Sequence, residues 1–266
     1  MERYAVIGAP VAHSLSPRLF QVIAQRTGRA LQYECRTVRE EELPSFLAEA
    51  KRGAYRGVNV TMPLKTRCAA LAEERTAEAE ALSAANVLRF ANGRAFAHNT
   101  DGDGFLLSLQ AMGVPVRGEK TMLIGAGGAA RAIALALAKS GAEVHILNRT
   151  AEQAAALTAL HENICLGSRE DAASCALVIN ATPQGMTCPW GDLSFVEMLP
   201  SSAAVIDCVY QPRTTELMKA AAARGIFCRN GLGMLAGQAI RSAEFFFGEA
   251  LNAEELFIPL LHAAEE

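Results

Sequence analysis

The glycine-rich stretch GAGGAARA, at residues 125–132, is the feature that most constrains the fold. A short apolar run precedes it, an Ala- and Leu-rich helical run follows to about Ser140, and a second apolar run occupies residues 144–147. Strand, glycine turn, helix and strand in this order form the first half of a dinucleotide-binding βαβ unit. The N-terminus of such a helix offers free N–H groups and the positive end of its dipole to a phosphate. The stretch therefore predicts a Rossmann-type domain.

Each small residue of the turn has a predicted task. Gly125 allows the sharp reversal, and Gly127 lets the backbone come close to a pyrophosphate. Gly128 and Ala130 are expected to keep the helix close to the sheet. A merely structural tight turn is the alternative. The strand and helix on either side favour phosphate binding over it.

The end of the second strand indicates which dinucleotide binds. An NAD site usually carries Asp or Glu there for the ribose hydroxyls. Here the strand ends in Asn148, Arg149 and Thr150, with no carboxylate. A guanidinium can bind a 2′-phosphate through paired, charge-assisted hydrogen bonds, so these residues favour NADP. Thr150 also fits an N-cap that forms a capping box with Gln153, and both interpretations can hold together.

Composition and charge exclude several classes of protein. The 266 residues suit one large or two medium domains, and 51% hydrophobic residues allow a substantial core. The net charge of −3 argues against nucleic-acid and anionic-membrane partners. No apolar run reaches transmembrane length, no signal segment is expected, and seven cysteines without a CxxC pair fit reduced thiols. The reduced thiols and the lack of a signal segment predict a cytoplasmic protein. The five histidines show no metal-ligand spacing, so we expect no bound metal.

The rest of the chain also alternates strand-like and helical runs, which predicts an α/β fold in two lobes. We expect a mainly parallel α/β substrate-binding and catalytic domain at 1–102 and a Rossmann domain at 103–237. The C-terminal helices, at 238–266, have no sheet of their own and are expected to pack back on the first lobe, with a cleft between the lobes. The second lobe carries five strand-like runs, at residues 122–124, 144–147, 176–181, 203–209 and 226–228.

Two local signals in the first lobe predict particular structures. Asn92-Gly93, between two short strand-like runs, predicts a β-hairpin. Ser16 followed by Pro17 predicts the start of a helix, with Ser16 as the N-cap and Pro17 at the first helical position.

Several small polar residues of the first lobe lie where predicted strands end or loops begin. They are Ser14, Ser16, Thr61, Lys65, Asn86, Asn99, Thr100 and Asp101. Ligands of α/β sheets bind at the C-terminal ends of the strands, and this mixture of groups suits a polyhydroxy substrate with a carboxylate. Structural alternatives remain open: Ser16 and Asp101 can be helix caps, and Lys65 can be a surface lysine.

These residues belong to separate motifs in which the chain resembles the shikimate dehydrogenases. The motifs, in order over nearly the full length, are IGAPVAHSLSP, GVNVTMPLK, HNTDGDG, GAGGAARA, NRT, NATPQGM, DCVYQP and NGLGMLAGQA. The resemblance implies an NADP-dependent oxidoreductase that reversibly reduces 3-dehydroshikimate to shikimate, in the chorismate pathway to aromatic amino acids.

The resemblance also implies the roles of individual residues. Lys65 and Asp101 would be the catalytic pair. Shikimate would be bound by Ser14, Ser16, Thr61, Lys65, Asn86, Asp101, Tyr210 and Gln238. NADP would be bound by Gly125, Ala126, Gly127, Gly128, Ala129, Asn148, Arg149, Thr150, Cys208 and Gly231. No metal would be required, and the partners would be small molecules only.

The implied chemistry fits the catalytic pair. Hydride transfer to a ketone carbon leaves an oxygen that needs a proton, which an ammonium can donate while it stabilises the growing negative charge. Asp101 would hold Lys65 in place and keep it charged. Two positions depart from the family pattern: Val87 lacks the hydroxyl usual in that stretch, and Cys208 replaces a residue that is often Met.

Three functions remain open at this point. The first is a biosynthetic shikimate dehydrogenase, as a monomer or a homodimer. The second is a relative of broader use that also oxidises quinate or accepts NAD. The third is a catalytically silent NADP-binding relative, against which the presence of both Lys65 and Asp101 argues.

Overall fold

The computed structural model describes all 266 residues and divides them into two compact units. The first unit comprises Met1–Gly104 and Ala236–Glu266, and the second comprises Phe105–Leu235. Each unit is built around one six-stranded sheet. No helix has the length and apolar character that crossing a membrane requires.

The secondary structure comprises twelve strands and ten α-helices, besides three short turns of tighter or wider helix. The strands are β1 (Glu2–Gly8), β2 (Leu31–Thr37), β3 (Gly57–Val60), β4 (Glu74–Arg75), β5 (Val87–Ala91), β6 (Arg94–His98), β7 (Lys120–Ile124), β8 (Glu143–Leu147), β9 (Ile164–Leu166), β10 (Leu177–Asn180), β11 (Ala204–Asp207) and β12 (Phe227–Arg229). The helices are α1 (Ser16–Thr27), α2 (Leu43–Glu49), α3 (Lys65–Leu71), α4 (Ala77–Leu82), α5 (Asp101–Ala111), α6 (Gly128–Lys139), α7 (Ala151–Thr158), α8 (Glu216–Ala223), α9 (Leu232–Phe247) and α10 (Ala253–Glu265).

The sheet of the first unit is mainly parallel, as predicted, with the strand order β2-β1-β3-β5-β6-β4. β1 pairs in parallel with β2 and β3, and β4 pairs in parallel with β6. β5 pairs antiparallel with both β3 and β6. The β5–β6 hairpin turns at Asn92 (φ 52°) and Gly93 (φ 72°), which have the positive φ angles of a two-residue type I′ turn. The hairpin prediction is therefore confirmed.

The two faces of this sheet bury different helices. One face packs against Leu43, Phe46 and Leu47 of α2. On the other face, the ring of Phe246 in α9 lies 4.9 Å from that of Tyr4 and 5.7 Å from that of Phe20. α10 packs against α1. The C-terminal helices therefore cover the first sheet, as the sequence predicts.

The sheet of the second unit is entirely parallel, with the order β9-β8-β7-β10-β11-β12. Numbered within the unit this is 3-2-1-4-5-6, the order of the Rossmann fold. The sequence-based prediction has five strands here and omits β9. The switch point of such a sheet, where strand order reverses, lies between β7 and β10, and ligands bind at the carboxyl ends of the strands there.

Candidate active site and cofactor site

Lys65 and Asp101 form an ion pair in the first unit. Lys65 is the first residue of α3, directly after the turn that follows β3, and Asp101 is the first residue of α5. Lys65 Nζ lies 2.5 Å from Asp101 Oδ2. The Asp101 side chain is 9% exposed and that of Lys65 is 25% exposed, so water screens this pair only in part. The two predicted catalytic side chains are thus in direct contact.

Asn86 fixes the second oxygen of Asp101. Its Nδ2 donates to Asp101 Oδ1 at 2.7 Å, while its Oδ1 accepts the backbone N–H of Thr100 at 2.8 Å. Because that N–H can only donate, the amide group of Asn86 must turn its NH2 toward Asp101. Asn99 Oδ1 accepts the N–H of Asp101 at 3.1 Å. Both oxygens of Asp101 therefore accept hydrogen bonds, as a carboxylate does.

The two serines that follow β1 also form a pair, but Ser16 is not the N-cap of α1. Leu15 occupies the N-cap position and Ser16 lies within the helix. Ser14 Oγ accepts the N–H of Ser16 at 3.2 Å, and the two hydroxyl oxygens are 3.1 Å apart. The prediction of Ser16 as N-cap is wrong because Ser14 supplies the acceptor for the first turn.

The remaining predicted substrate residues have separate positions. Thr61 directly follows β3 and donates its N–H to Ile7 O at 2.9 Å. Gln238 lies on α9, and its carbonyl oxygen is 3.4 Å from Thr100 Oγ1. Tyr210 belongs to the second unit and follows β11. The structure brings Lys65, Asn86 and Asp101 into one hydrogen-bonded group and Ser14 and Ser16 into another.

The glycine turn has open space where a phosphate would lie. Gly125 has φ +119°, and a Cβ there would lie 2.9 Å from Thr182 Cγ2 and 3.1 Å from Ala181 O, so the turn after β7 requires glycine. α6 begins with Gly127 as its N-cap, and no side chain caps it. A Cβ at Gly127 or Gly128 would meet nothing within 4 Å. Uncapped N–H groups at an open helix N-terminus fit a dinucleotide phosphate.

The open surroundings of Gly128 correct one sequence-based expectation. Gly128 is not needed for close packing of the helix against the sheet, since no protein atom lies near its Cβ position. Ala130 is fully buried in the core of the unit and keeps the predicted role. Glycine at position 128 therefore leaves open space beside the N-terminus of α6.

The residues after β8 present an unpaired guanidinium. Arg149 is exposed and makes no ion pair, and no carboxylate occupies positions 148–150. Thr150 is the N-cap residue of α7, but its side chain accepts no capping hydrogen bond. Asn148 Nδ2 donates to Thr150 O at 2.9 Å and to Gln153 Oε1 at 3.3 Å. The capping-box prediction is therefore wrong because the Gln153 side chain is bonded to Asn148.

A buried carboxylate that sequence reasoning missed lies at the carboxyl ends of β10 and β11. Asp207 is 0% exposed and accepts hydrogen bonds from Asn180 Nδ2 at 2.8 Å, Thr215 Oγ1 at 2.6 Å and the N–H of Val209 at 3.0 Å. Burial raises the pKa of Asp207, and these three donors oppose that effect. The motifs NATPQGM and DCVYQP contain Asn180 and Asp207, which was the available signal.

This carboxylate holds the loop that carries Cys208 and Tyr210, two residues predicted to bind ligands. Gly231, also predicted to bind the cofactor, approaches the same loop closely. A Cβ at Gly231 would overlap the carbonyl oxygen of Cys208, so the two backbones are in contact. The switch-point edge of the sheet therefore combines the open glycine turn with a rigid, hydrogen-bonded loop.

A His, Glu and Cys cluster lies outside these sites. Ligand atoms of Glu143, His145 and Cys165 all lie within 4.8 Å of one another, on neighbouring strands that sequence spacing does not reveal. His145 Nε2 is 2.6 Å from Glu143 Oε1, and its Nδ1 is 3.3 Å from Asp171 Oδ2. Lys120 lies 2.8 Å from Asp171 and holds the pKa of that carboxyl well below its usual range.

Two family models match the chain. Residues 6–88 match the shikimate dehydrogenase substrate binding domain, and residues 108–180 match the family described as shikimate / quinate 5-dehydrogenase. The first match covers the strands that lead to Ser14, Thr61 and Lys65, together with Asn86. The second match runs from α5 through the glycine turn to Asn180.

Similar proteins and solved structures cover nearly the whole chain. A shikimate dehydrogenase (NADP(+)) of Thermus thermophilus is 41% identical over 90% of this chain and 89% of its own length. That of Afipia carboxidovorans is 37% identical over 91% and 90%.

Among solved structures, a Thermus thermophilus shikimate 5-dehydrogenase in complex with NADP(H) and shikimate matches with a TM-score of 0.89 and 37% identity, over 100% of this chain and 99% of that chain. A ligand-free 5-ketofructose reductase of a Gluconobacter species matches with a TM-score of 0.86 and 26% identity, over 98% of both chains. This fold therefore also serves a reductase of another ketone.

Proposed function

Because the chain belongs to the shikimate dehydrogenase family, we propose that it reversibly reduces 3-dehydroshikimate to shikimate with NADPH. The single observation that carries this proposal is the contact between Lys65 and Asp101, whose orientation Asn86 fixes. A binding protein without catalysis has no use for an ammonium held in this way. The activity places the protein in chorismate and aromatic amino-acid biosynthesis.

In the proposed reaction, Lys65 is the proton donor. The bound nicotinamide supplies a hydride to the ketone carbon of the substrate. Lys65 stabilises the negative charge that develops on the ketone oxygen and donates the proton that completes the hydroxyl group. Asp101 orients Lys65 through their ion pair. When the reaction runs in reverse, the neutral Lys65 amine takes the same proton back from the substrate hydroxyl.

The other polar residues of the first unit bind the substrate in this proposal. Ser14 and Ser16 form one hydrogen-bonding group, and Thr61, Asn86 and Gln238 supply further donors and acceptors. Tyr210, which follows β11, is a further predicted substrate residue. Such a site discriminates strongly between a polyhydroxy substrate and its analogues, because an analogue that lacks one hydroxyl leaves a buried polar group of the protein unpaired.

The second unit binds NADP in this proposal. The open N-terminus of α6 receives the pyrophosphate, and Gly125, Ala126, Gly127, Gly128 and Ala129 form its turn. Asn148, Arg149 and Thr150 follow β8, where Arg149 binds the 2′-phosphate. Cys208 and Gly231 flank the loop that Asp207 holds.

Removing the Arg149 guanidinium is expected to reduce the preference for NADP. A hydrogen bond to a charged group contributes about 1.5–3 kcal/mol, so Arg149→Ala should raise the KM for NADP by about 10- to 100-fold. The KM for NAD should stay nearly constant because NAD lacks the 2′-phosphate. Arg117→Ala is the matched control, since Arg117 is an exposed, unpaired arginine before the amino end of β7. Equal changes for both cofactors would refute this role of Arg149.

The proposed activity is tested by following reduced nicotinamide with shikimate or quinate as substrate and NADP or NAD as cofactor. We expect the highest kcat/KM with shikimate and NADP. Comparable rates with quinate would instead indicate the broader quinate/shikimate activity that the second family model includes in its description. Absence of turnover with binding of NADPH retained would identify a catalytically silent relative.

We also propose that the protein acts in the cytoplasm as a monomer or a homodimer, with small molecules as its partners. All seven cysteines are free thiols, which supports a reducing compartment. Light scattering of the purified protein, with and without NADP, measures the oligomeric state.

A further inference from the structure

Two polar side chains that are not among the residues proposed to touch substrate are buried within the core of the first unit. Asn59 on β3 is 5% exposed, and Ser242 on α9 is fully buried. A buried hydroxyl or amide destabilises a core unless a hydrogen bond satisfies it. Asn59 and Ser242 therefore need hydrogen-bond partners within the protein.

The partners form one continuous series of hydrogen bonds. The Tyr33 hydroxyl donates to Asn59 Oδ1 at 2.8 Å. Asn59 Nδ2 donates to Ser242 Oγ at 2.8 Å. Ser242 Oγ in turn lies 3.0 Å from Thr100 Oγ1. We call Tyr33, Asn59, Ser242 and Thr100 the buried relay.

One end of the buried relay contacts the group that holds the ion pair. Asn86 Nδ2 lies 3.0 Å from Thr100 Oγ1 and 2.7 Å from Asp101 Oδ1. The amide group of Asn86 therefore bonds to the relay and to the carboxylate that orients Lys65. A change in the position of the Thr100 hydroxyl therefore affects Asp101 through this amide as well as through the peptide bond that joins the two residues.

The other end contacts the helix that begins at Ser16. The Tyr33 ring stacks on that of Phe20 in α1, with the ring centroids 4.2 Å apart, and the Ser16 hydroxyl oxygen at the start of this helix is 3.1 Å from that of Ser14. Burial raises the pKa of Tyr33 well above its usual range, so its hydroxyl stays protonated and remains a donor. The relay thus runs from the group that holds Asp101 to the helix that carries Ser16.

The donors and acceptors determine the role of Ser242. Asn59 Nδ2 can only donate, so Ser242 Oγ must accept from it. Thr100 Oγ1 accepts from Asn86 Nδ2 and can also accept the proton of Ser242, while its own proton has two acceptors in reach, Asn86 Oδ1 at 3.2 Å and Gln238 O at 3.4 Å. Ser242 also lies four residues after Gln238 on α9, hence on the same side of that helix.

From this series we infer that Ser242 and Asn59 are positioning residues, which hold the Lys65–Asp101 pair at a fixed place relative to Ser14 and Ser16. This inference rests on the proposed function. Both side chains are buried and make their hydrogen bonds within the protein. They act through Thr100 and Asn86, and small displacements of a catalytic group have large effects on rate.

Ser242→Ala tests this inference directly. The variant removes the acceptor of Asn59 and a partner of Thr100, and we expect kcat with shikimate to fall about tenfold, the rate equivalent of one ordinary hydrogen bond. The KM for NADP should not change, because the relay lies entirely in the first unit. Tyr33→Phe, which removes the donor to Asn59, should lower kcat in the same direction with the KM for NADP unchanged.

Ser108→Ala is the matched control. Ser108 is a buried helical serine of the second unit whose Oγ donates to the carbonyl oxygen of Phe105 at 2.7 Å. Its loss should lower the melting temperature without a change in kcat. Ser242→Ala should in addition have little effect when Lys65 is already replaced, since positioning of an absent ammonium has no consequence.

The outcomes separate this inference from the proposed function. If the unaltered protein turns over shikimate while Ser242→Ala and Tyr33→Phe keep kcat within twofold of it, the relay has no positioning role. A tenfold loss that persists in full in the Lys65→Met background would also overturn it. Failure of the unaltered protein to turn over shikimate would instead refute the proposed function.

Discussion

Replacing Lys65 with methionine is expected to lower kcat for shikimate oxidation and for the reverse reaction by roughly 10²- to 10⁴-fold, the usual contribution of a general acid–base group. Methionine keeps an unbranched side chain of similar reach but has no ammonium. Neither stabilisation of charge on the ketone oxygen nor proton donation would remain at this position. Steady-state rates with saturating shikimate and NADP measure the effect.

Lys120→Met is a suitable control for this variant. Lys120 is 24% exposed and pairs with Asp171 at 2.8 Å, so it resembles Lys65 in exposure and in having an aspartate partner. It lies at the amino end of β7, whereas ligands bind at the carboxyl ends of the strands. We expect kcat of Lys120→Met to stay close to that of the unaltered protein.

Substrate binding must be measured alongside the rates. Lys65→Met should still bind shikimate with an affinity reduced far less than kcat, because most of the predicted substrate contacts remain. A variant that binds shikimate and retains more than about a fifth of the normal kcat would contradict general acid–base catalysis by Lys65.

The parts of the fold that follow from local signals are predictable from the sequence. Gly125 is confirmed as the residue that permits the reversal after β7, since both its φ angle and its close neighbours exclude a side chain. Asn92-Gly93 is likewise confirmed, because a two-residue turn with positive φ at both positions leaves few other choices. In both places a single residue type determines the backbone.

Short strands are not predictable in the same way. β9 has three residues and β4 has two, so neither shows enough alternation for a period to be recognised. β9 forms because β8 offers it an open parallel edge, and β4 pairs with β6 for the same reason. These are tertiary effects that no local sequence window contains.

The candidate site shows the same division. Polar residues at strand ends, such as Asn86 and Asp101, stand out because an α/β sheet binds its ligands there. Asn59 and Ser242 do not stand out, because an isolated polar residue in an apolar run usually faces solvent. Only the structure shows that strand β3 and helix α9 bring them together, at a separation of 183 residues along the chain.

Asp207→Ala is expected to lower the free energy of unfolding by about 2–4 kcal/mol, the largest stability effect that we predict. The substitution leaves three buried donors, those of Asn180, Thr215 and Val209, without their acceptor. Urea unfolding followed by circular dichroism measures the loss. Binding of NADP should weaken as well, because the loop with Cys208 and Tyr210 loses its anchor.

Asp207→Asn separates the hydrogen bonds from the charge. The asparagine oxygen can accept from Asn180 and Val209, and its NH2 can donate to the Thr215 hydroxyl oxygen, which reverses one bond and leaves only the Thr215 hydroxyl proton without its acceptor. We therefore expect this variant to lose much less stability than Asp207→Ala. Equal losses in the two variants would show that the carboxylate charge, and not the set of hydrogen bonds, holds the loop.

The pH dependence of the difference between the unaltered protein and Asp207→Asn follows from the raised pKa of Asp207. On acidification the folded protein takes up a proton at Asp207 before the unfolded chain does, because the carboxyl of the unfolded chain titrates near a pKa of about 3.9. The contribution of Asp207 to stability is therefore complete below the pKa of the unfolded chain and is lost as the pH rises through the higher pKa of the folded protein. The unaltered protein should gain stability relative to Asp207→Asn as the pH falls from neutrality through the pKa of Asp207 in the folded protein toward that of the unfolded chain. A relative loss on acidification would mean that the three donors outweigh burial and hold Asp207 ionised.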